Sequence, residues 1–367
     1  MTEDDCLLWL SCIPNLTLKR QKDLISIFGS AHDIWVAPEK LILSVNGIPK
    51  NILENVISYK NPKKFIAYEK MMRQSNVSFI SYKSDLYPEL LKQIPDYPLG
   101  LYIKGDLPDT SLLKISIVGS RKYTEYGAYI AKKIACDLAA RDIVIVSGMA
   151  RGIDSVVHKA AINSNGKTIA ILGCGVDICY PPENARIREN IIQNGCLISE
   201  FPLGTKPIVR NFPMRNRIIS GIAKALIVIE ASEKSGTLIT AGHALEQGRE
   251  VMAIPGMVNS NFSRGTNYLI KNGASLVTSI QDILDIIGDN HYCKNFSTNI
   301  NENFSNYNIS LENNEKLVYD VIGFDEKSFD FIANHVDLPV NKLSSCLIML
   351  EIKGIIKKLP GSKYIRT

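Results

Sequence analysis

The sequence predicts an α/β protein whose main domain is a parallel sheet covered by helices. Between residues 76 and 288, short β-branched runs alternate with amphipathic helical patterns, and each run ends in a glycine or small-residue turn. Such runs, apolar throughout, are typical of parallel strands buried on both faces. A helical region precedes them, and three helical patterns with a terminal hairpin follow. The predicted fold is therefore an extended Rossmann-like sheet flanked by an N-terminal helical domain and a C-terminal winged helix.

Residues 1–75 are predicted to form the N-terminal helical domain. Apolar residues recur at helical spacing from Leu7 to Leu10, and turn signals follow at Gly29-Ser30 and at Asn46-Gly47-Ile48-Pro49. The second turn is similar to the hairpins of helix-hairpin-helix and SAM-like folds, which can meet DNA backbones. The sequence leaves open whether this domain contacts DNA or serves packing alone.

Residues 76–288 are predicted to form the sheet domain. Its main strands are predicted at 115–118, 143–147, 168–172, 197–199, 225–230 and 251–254. Two further runs, 77–82 and 101–104, are predicted to extend the sheet. Ligands of open parallel sheets bind beyond the carboxyl ends of the strands, so the loops that follow the strands are the first candidates for function.

Residues 289–311 are rich in asparagine and serine, a composition typical of a linker. Residues 312–367 are predicted to form a winged helix, with helical patterns at 315–322, 328–335 and 340–353 and a hairpin over 355–365. This domain holds eight Lys and Arg against eight Asp and Glu, so it lacks the basic stripe of a strong duplex binder. A protein contact, a structural role and DNA binding all stay open for it.

Composition and charge set wider bounds. The net charge of +5 over 367 residues permits an anionic partner without requiring one. No apolar run approaches the length of a membrane span, and the acidic start, Met1–Asp5, is unlike a secretory signal, which predicts a cytoplasmic protein with no membrane partner. The eight cysteines form no C-x-x-C pair and the five histidines show no ligand spacing, which predicts buried free thiols and no metal site. His158 is expected in a core or capping role.

Glycine turns follow the predicted strands. Three strands end in Val118-Gly119-Ser120-Arg121, in Ser147-Gly148 and in Leu172-Gly173-Cys174-Gly175, and Lys234-Ser235-Gly236-Thr237 follows a fourth. Glycine lets the backbone approach an anion, while hydroxyl and guanidinium groups donate hydrogen bonds to it. Ile178 stands where a dinucleotide fingerprint needs its third glycine, and no Walker A loop is present, so no cofactor is predicted.

An arginine-rich block lies at the start of a predicted helix, with Asn211 near its cap. Pro213 suits its first position, and Arg215 and Arg217 would then lie in its first turn, beside the positive end of the helix dipole. A bound phosphate would remove that repulsion. Residues two apart on a helix point about 200° apart, so one arginine is expected to face the ligand, and Arg215 is favoured.

These blocks together resemble the bacterial DNA-processing protein A family, also called Smf. The matching motifs are 118–121, 147–154, 180–181, 199–202, 212–221, 235–241, 254–256 and 265–270. The resemblance implies a non-catalytic, homodimeric single-stranded DNA-binding protein that acts in natural transformation, protects incoming strands and helps load the RecA recombinase. The predicted nucleic-acid-binding residues are Gly119, Ser120, Arg121, Gly148, Arg210, Phe212, Arg215, Asn216, Arg217, Lys234, Ser235, Gly236 and Thr237.

One enzyme class remains as the alternative, a nucleotide-binding phosphoribohydrolase of the lysine-decarboxylase-like group. Its signature, P-G-G-x-G-T-x-x-E, ends in a catalytic glutamate, and Thr240 stands at that position here. No paired carboxylates or Ser-His-Asp arrangement can be assigned. Asp154 is expected to cap a helix and Glu200 to fix a turn. The sequence therefore predicts a protein that is not an enzyme.

Overall fold

The computed structural model of the protein describes residues 1–288 and 311–366. The predicted linker lies outside the described residues, apart from Leu311. The chain divides into two compact units, one of residues 1–123 and 131–287 and the other of residues 124–130 with the described residues from 288 onward. The first contains a large parallel-dominant sheet and the second a winged helix, so the predicted fold class is confirmed.

Short helices with clear start signals make up the first 75 residues. They are α1 (Glu3–Ser11), α2 (Leu18–Phe28), α3 (Ala31–Val36), α4 (Glu39–Leu43), α5 (Lys50–Tyr59) and α6 (Pro62–Gln74). Thr2 and Asp5 form a capping box at α1, and Asn61 caps α6 with Pro62 in its first turn. Trp9 packs edge-to-face on Trp35, and the helices share one core with a face of the sheet.

The described part of the first unit holds a nine-stranded sheet in the order β1-β2-β6-β5-β4-β3-β7-β8-β9. The strands are β1 (Val77–Ser81), β2 (Gly100–Gly105), β3 (Lys114–Val118), β4 (Val144–Ser147), β5 (Thr168–Ile171), β6 (Gly195–Ser199), β7 (Ala225–Val228), β8 (Glu250–Ala253) and β9 (Ser275–Leu276). Strands β3 to β9 run parallel, whereas β2 pairs antiparallel with β6 and β1 with β2. The eight predicted strands are confirmed, and β9, with two residues, was missed.

Helices connect the strands and fix where the sheet reverses. They are α7 (Glu89–Lys92), α8 (Glu125–Ala139), α9 (Ile153–Asn163), α10 (Ala185–Gln193), α11 (Asn211–Gly221), α12 (Gly236–Glu246), α13 (Arg264–Lys271) and α14 (Ile280–Ile287). The chain runs outward from β3 to β6, and α11 then carries it back to β7 on the other side of β3. This reversal opens a crevice between the carboxyl ends of β3 and β7.

The winged helix has its own core. It consists of α15 (Asn313–Val321), β10 (Lys327–Ser328), α16 (Phe329–His335), α17 (Val340–Ile352), β11 (Ile356–Leu359) and β12 (Lys363–Arg366). Val318, Ile332, Leu343, Leu347 and Ile356 are buried together. The predicted three helices and terminal hairpin are present, and β10 adds a short third strand beside β12.

The thiols and His158 serve packing. The described cysteines are all free and buried or half-buried, and Cys293 lies outside the described residues. Burial raises the pKa of Cys6 and of Cys174 to about 11. His158 is fully buried with its Nδ1 2.7 Å from Thr168 Oγ1, and burial lowers its pKa to about 3, which confirms its predicted core role. None of the described helices is long and apolar enough to cross a membrane.

Candidate nucleic-acid interface

A pocket of about 590 Å³ lies at the crevice between β3 and β7. The segments that follow β3, β4, β5, β7 and β8 line it together with α11. Most of the predicted binding residues lie in this lining: Gly119, Ser120, Arg121, Phe212, Arg215, Asn216, Ser235, Gly236 and Thr237. Gly148, Arg210, Arg217 and Lys234 do not line it. The pocket occupies the place where ligands bind to doubly wound sheets.

The turn after β3 presents exposed cations to the pocket. Gly119 packs so closely on α9 that a Cβ there would lie 2.6 Å from Ile153 Cγ1. Gly152 has φ +87°, and a Cβ there would overlap the Ser120 carbonyl oxygen, which accepts the Ile153 N–H at 3.2 Å. The turn is thus held against the start of α9, with Arg121 exposed. Among the described residues no salt bridge engages Arg121.

Asp154 organises the turn after β4. Its carboxylate accepts the N–H groups of Gly148 at 3.2 Å and of Ala150 at 3.3 Å. The predicted capping role is therefore wrong in detail, because Gly152 is the N-cap of α9 and Asp154 reaches back to the preceding turn. Burial raises the pKa of Asp154, and the neighbouring Arg215 opposes that rise.

Helix α11 begins two residues earlier than the sequence predicts. The carbonyl groups of Ile208 and Val209 accept the N–H groups of Asn211 and Phe212, so helical geometry is already present at Asn211. Pro213 is then the third helical residue, not the first. The arginines lie beyond the first turn, where the helix dipole acts on them less strongly than predicted.

Arg215 forms the floor of the pocket and is 5% exposed. Its Nη1 donates to the carbonyl oxygens of Gly148, at 2.7 Å, and of Ile171, and its Nε donates to Asn216 Oδ1 at 3.1 Å. Any side chain at Gly148 would overlap this guanidinium. The ends of β4 and β5 are therefore held together by Arg215, which corrects its prediction as an open phosphate ligand.

Arg217 points away from the pocket. Its Nη1 donates to the Asp96 carbonyl at 2.6 Å, its Nε lies 3.1 Å from the Asp96 carboxylate, and its Nη2 donates to Glu200. The two arginines point in different directions, as helical geometry predicts. Arg217 is buried and paired, so its side chain is not available to DNA, contrary to the prediction. Glu200, predicted to fix a turn, is the buried partner of Arg217. Burial raises the pKa of Glu200, and Arg217 opposes that rise.

Aromatic side chains form one wall. The ring of Phe212 lies 5.4 Å from that of Tyr180, centroid to centroid, at an interplanar angle of 39°. Gly173 leaves room for it, because a Cβ there would lie 3.0 Å from Phe212 Cδ1. Phe262 lines the pocket from the loop that follows β8. Tyr180 and Phe262 were not among the binding residues predicted from the sequence, although Tyr180 belongs to the matching motif at 180–181.

The N-terminus of α12 completes the lining. Ser235 is its N-cap: its hydroxyl accepts the Thr237 N–H at 3.2 Å and donates to Thr237 Oγ1 at 2.9 Å. Gly236 places no side chain over these amides. Thr240, 2% exposed, lines the pocket at the position of the phosphoribohydrolase glutamate.

Polar and charged residues also stand around the pocket. Lys122 and Asn261 line it and were not predicted. Arg210 and Lys234 are exposed and adjoin the lining residues Val209 and Ser235 in the chain. No group of His, Cys, Asp and Glu suited to a metal ion occurs within residues 1–288 and 311–366. The site thus combines exposed cations, a helix N-terminus and aromatic rings.

Both units of the chain match known protein families. The family model described as DNA recombination-mediator protein A matches residues 78–288, and the DprA winged helix domain matches residues 308–362. Protein Smf of Escherichia coli K12 is 37% identical over 359 residues, 95% of this chain and 94% of that protein. The DNA processing protein DprA of Streptococcus pneumoniae R6 is 44% identical over 204 residues, 56% of this chain and 72% of that protein.

Two solved structures agree with this assignment. The X-ray structure of DNA processing protein A from Streptococcus pneumoniae matches with a TM-score of 0.68 at 31% identity, covering 78% of this chain and 98% of that one. DNA processing protein A from Helicobacter pylori, described in terms of its single-stranded DNA binding mode, matches with a TM-score of 0.52 at 30% identity, covering 58% and 97%. The resemblance found in the sequence is confirmed: the chain belongs to the DNA recombination-mediator protein A family.

Proposed function

We propose that this protein binds single-stranded DNA in the pocket between β3 and β7 and catalyses no reaction on it. The observation that carries the proposal is the combination, at one crevice, of the exposed Arg121, the N-terminus of α12 and the Phe212–Tyr180 wall. Proteins that bind unpaired strands combine cationic grooves with aromatic surfaces on which bases stack. The single-stranded DNA binding described for the Helicobacter pylori relative supports the same ligand.

The proposed contacts divide by chemistry. Arg121 and Lys122 neutralise backbone phosphate, and the amide of Gly236, at the N-terminus of α12, donates to a phosphate oxygen. Phe212 offers a face to a base, a contact worth roughly 1–3 kcal/mol. Ser120, Asn216 and Ser235 supply hydrogen bonds, and Arg210 and Lys234 extend the positive surface along the strand. Since phosphate and ring contacts exist for every base, sequence preference is small.

The pocket lining favours binding over catalysis. Of its described residues, Asp154 alone carries a carboxylate, and that group is engaged by the amides of Gly148 and Ala150. The hydroxyl of Thr240 cannot replace the glutamate of a phosphoribohydrolase as an acid or base. Incubation of the pure protein with nucleoside monophosphates is expected to release no free base. Release of base, lost in an Arg121→Ala variant, would establish the enzyme alternative.

The cellular role proposed is natural transformation, in which the protein protects incoming strands in the cytoplasm and helps load the RecA recombinase for homologous recombination. Membership of a recombination-mediator family supports this role. We propose that the protein works as a homodimer, and exposed apolar side chains late in the sheet domain, among them Tyr268 at 60% and Leu276 at 49%, suit such a contact. Sedimentation of the full chain measures the stoichiometry.

A mobility-shift experiment with the full chain tests the binding proposal. Labelled oligothymidylate, a mixed-sequence single strand and the corresponding duplex are titrated with protein at one salt concentration, because affinities for nucleic acid depend strongly on salt. Both single strands are expected to bind with similar affinity and the duplex more weakly. Tighter binding of the duplex would overturn the proposal.

A further inference from the structure

Helix α6 contacts the segment that leads into the DNA pocket. The Tyr68 hydroxyl on α6 accepts the backbone N–H of Leu203 at 3.0 Å. Leu203 follows β6 and is 8% exposed, and its side chain packs in the core that the N-terminal helices share with the sheet. The contact therefore joins the helical region to the chain a few residues before Arg210 and Phe212.

The turn that contains Leu203 is also fixed on its other side. The Gly204 N–H donates to both carboxylate oxygens of Asp177, at 3.1 and 2.9 Å, and the Gly175 N–H donates to the Thr205 carbonyl at 3.0 Å. Beyond this turn, Lys206, Ile208, Val209 and Arg210 are exposed. The turn is thus the fixed base of segment 206–210, which ends at the aromatic wall of the pocket.

Tyr68 is itself held among buried polar groups. The Tyr102 hydroxyl lies 2.6 Å from Ser11 Oγ and 3.5 Å from Cys12 Sγ, and Ser11 Oγ donates to the Leu8 carbonyl. Burial raises the pKa of Tyr68 and of Tyr102, so both hydroxyls keep their protons. The Tyr68 hydroxyl joins this cluster through side-chain hydrogen bonds with Tyr102 and Cys12, which place it between α1, α6 and β2.

We infer that Tyr68 is a positioning residue for single-stranded DNA binding: its hydroxyl fixes the Leu203 amide and so sets the approach of Arg210 and Phe212 to the strand. The inference rests on the proposed function. It gives the N-terminal helices a part in binding that requires no contact with DNA.

The test removes one hydroxyl group. Tyr68→Phe keeps the ring and leaves the Leu203 N–H without its acceptor. Hydrogen exchange of the Leu203 amide is expected to become roughly three- to tenfold faster, the range that corresponds to the loss of one hydrogen bond. The affinity for oligothymidylate, measured by fluorescence anisotropy, is expected to fall by a similar factor.

Tyr87→Phe is the matched control. Tyr87 is 1% exposed, and its hydroxyl donates to the Pro98 carbonyl at 2.8 Å, so the variant also loses one buried tyrosine hydrogen bond but leaves the 202–210 segment intact. Faster Leu203 exchange and weaker binding in Tyr68→Phe alone support the inference. Unchanged exchange, unchanged affinity or equal losses in both variants overturn it while the wild-type protein still binds. Failure of the wild-type protein to bind overturns the proposed function itself.

Discussion

Two arginines at the pocket have the same charge and opposite roles because their burial differs. Arg121 is exposed, whereas Arg215 is 5% exposed and donates to the carbonyl groups that end β4 and β5. An exposed guanidinium is available to a phosphate, and a buried one is a structural cross-link whose removal disturbs the fold. Substitution at each position should therefore affect a different property.

Arg121→Ala is expected to weaken single-stranded DNA binding and to leave thermal stability nearly unchanged. Loss of one phosphate contact should flatten the log–log dependence of affinity on salt by about 0.7. Titrations at several salt concentrations measure the slope. Lys19→Ala, an exposed cation on α2, is the control for net charge. Equal slopes for Arg121→Ala and the wild-type protein would remove Arg121 from the interface.

Arg215→Ala is expected to lower the free energy of unfolding by about 3–5 kcal/mol, because it leaves the Asp154 carboxylate buried without its neighbouring cation. Burial already raises the pKa of Asp154, and loss of Arg215 raises it further. When the pKa of a carboxyl group is higher in the folded than in the unfolded protein, the protein loses stability as the pH rises from the unfolded-state pKa to the folded-state pKa. The deficit should therefore be larger at pH 8 than at pH 5.

Urea unfolding at the two pH values measures this deficit. Arg215→Lys keeps a positive charge beside Asp154 but not the guanidinium geometry, so it should lose stability with a weaker pH dependence. If Arg215→Ala loses the same free energy of unfolding at both pH values, Arg215 does not stabilise the ionised Asp154 carboxylate.

At the scale of elements, the site depends on turns that pack on one another. Gly152, with φ +87°, lies against the Ser120 carbonyl, so the start of α9 holds the turn that presents Arg121. Gly152→Ala is expected to displace that turn and to lower DNA affinity. Gly248→Ala is the control, since Gly248 has φ +65° and nothing within 4 Å of the added Cβ.

Gly248→Ala should lose about 1–2 kcal/mol of stability from its positive φ. Gly152→Ala should lose more, because its added Cβ would also overlap the backbone of Ser120 and Arg121. Anisotropy titration below the unfolding range is expected to show weaker binding for Gly152→Ala alone. Equal affinities in the two variants would mean that the turn tolerates the displacement.

The burial and length of the strands decide which of them the sequence could predict. Strands β3 to β7 are buried throughout, so their sequences are mostly apolar runs that stand out from the helices. Strand β9 was missed because two residues carry no pattern. The start of α11 was misplaced because the carbonyl groups of Ile208 and Val209 extend the helix across a sequence with no capping signal.

Contacts between side chains that lie far apart in the sequence could not be predicted. Phe262 reaches the pocket because β8 lies beside β7 in the sheet, and no short sequence motif predicts that two strands are neighbours. The burial of Arg217 depends on Glu200 and on Asp96, which lie in two other loops. Motifs thus located the pocket, while strand order decided which of its arginines stayed exposed.

For the whole molecule, the two units have separate hydrophobic cores and all pocket residues belong to the first. Leu347→Ala, at a residue 1% exposed in the winged helix, is expected to destabilise that domain by about 2–5 kcal/mol and to leave single-stranded DNA affinity unchanged. Hydrogen exchange over residues 311–366 and anisotropy titration measure the two effects. Leu226→Ala, in β7, should weaken both the sheet and DNA binding. A loss of affinity in Leu347→Ala with normal exchange in the sheet would assign the winged helix a part in binding.

The dispersed origin of the pocket lining has a consequence for synthesis on the ribosome. Arg121 leaves the exit tunnel early, the Phe212 wall follows much later, and Phe262 emerges only after β8 has been made. A growing chain therefore carries the cation well before it carries a complete binding surface. Nascent chains and fragments that end before β8 should not compete with the finished protein for DNA strands.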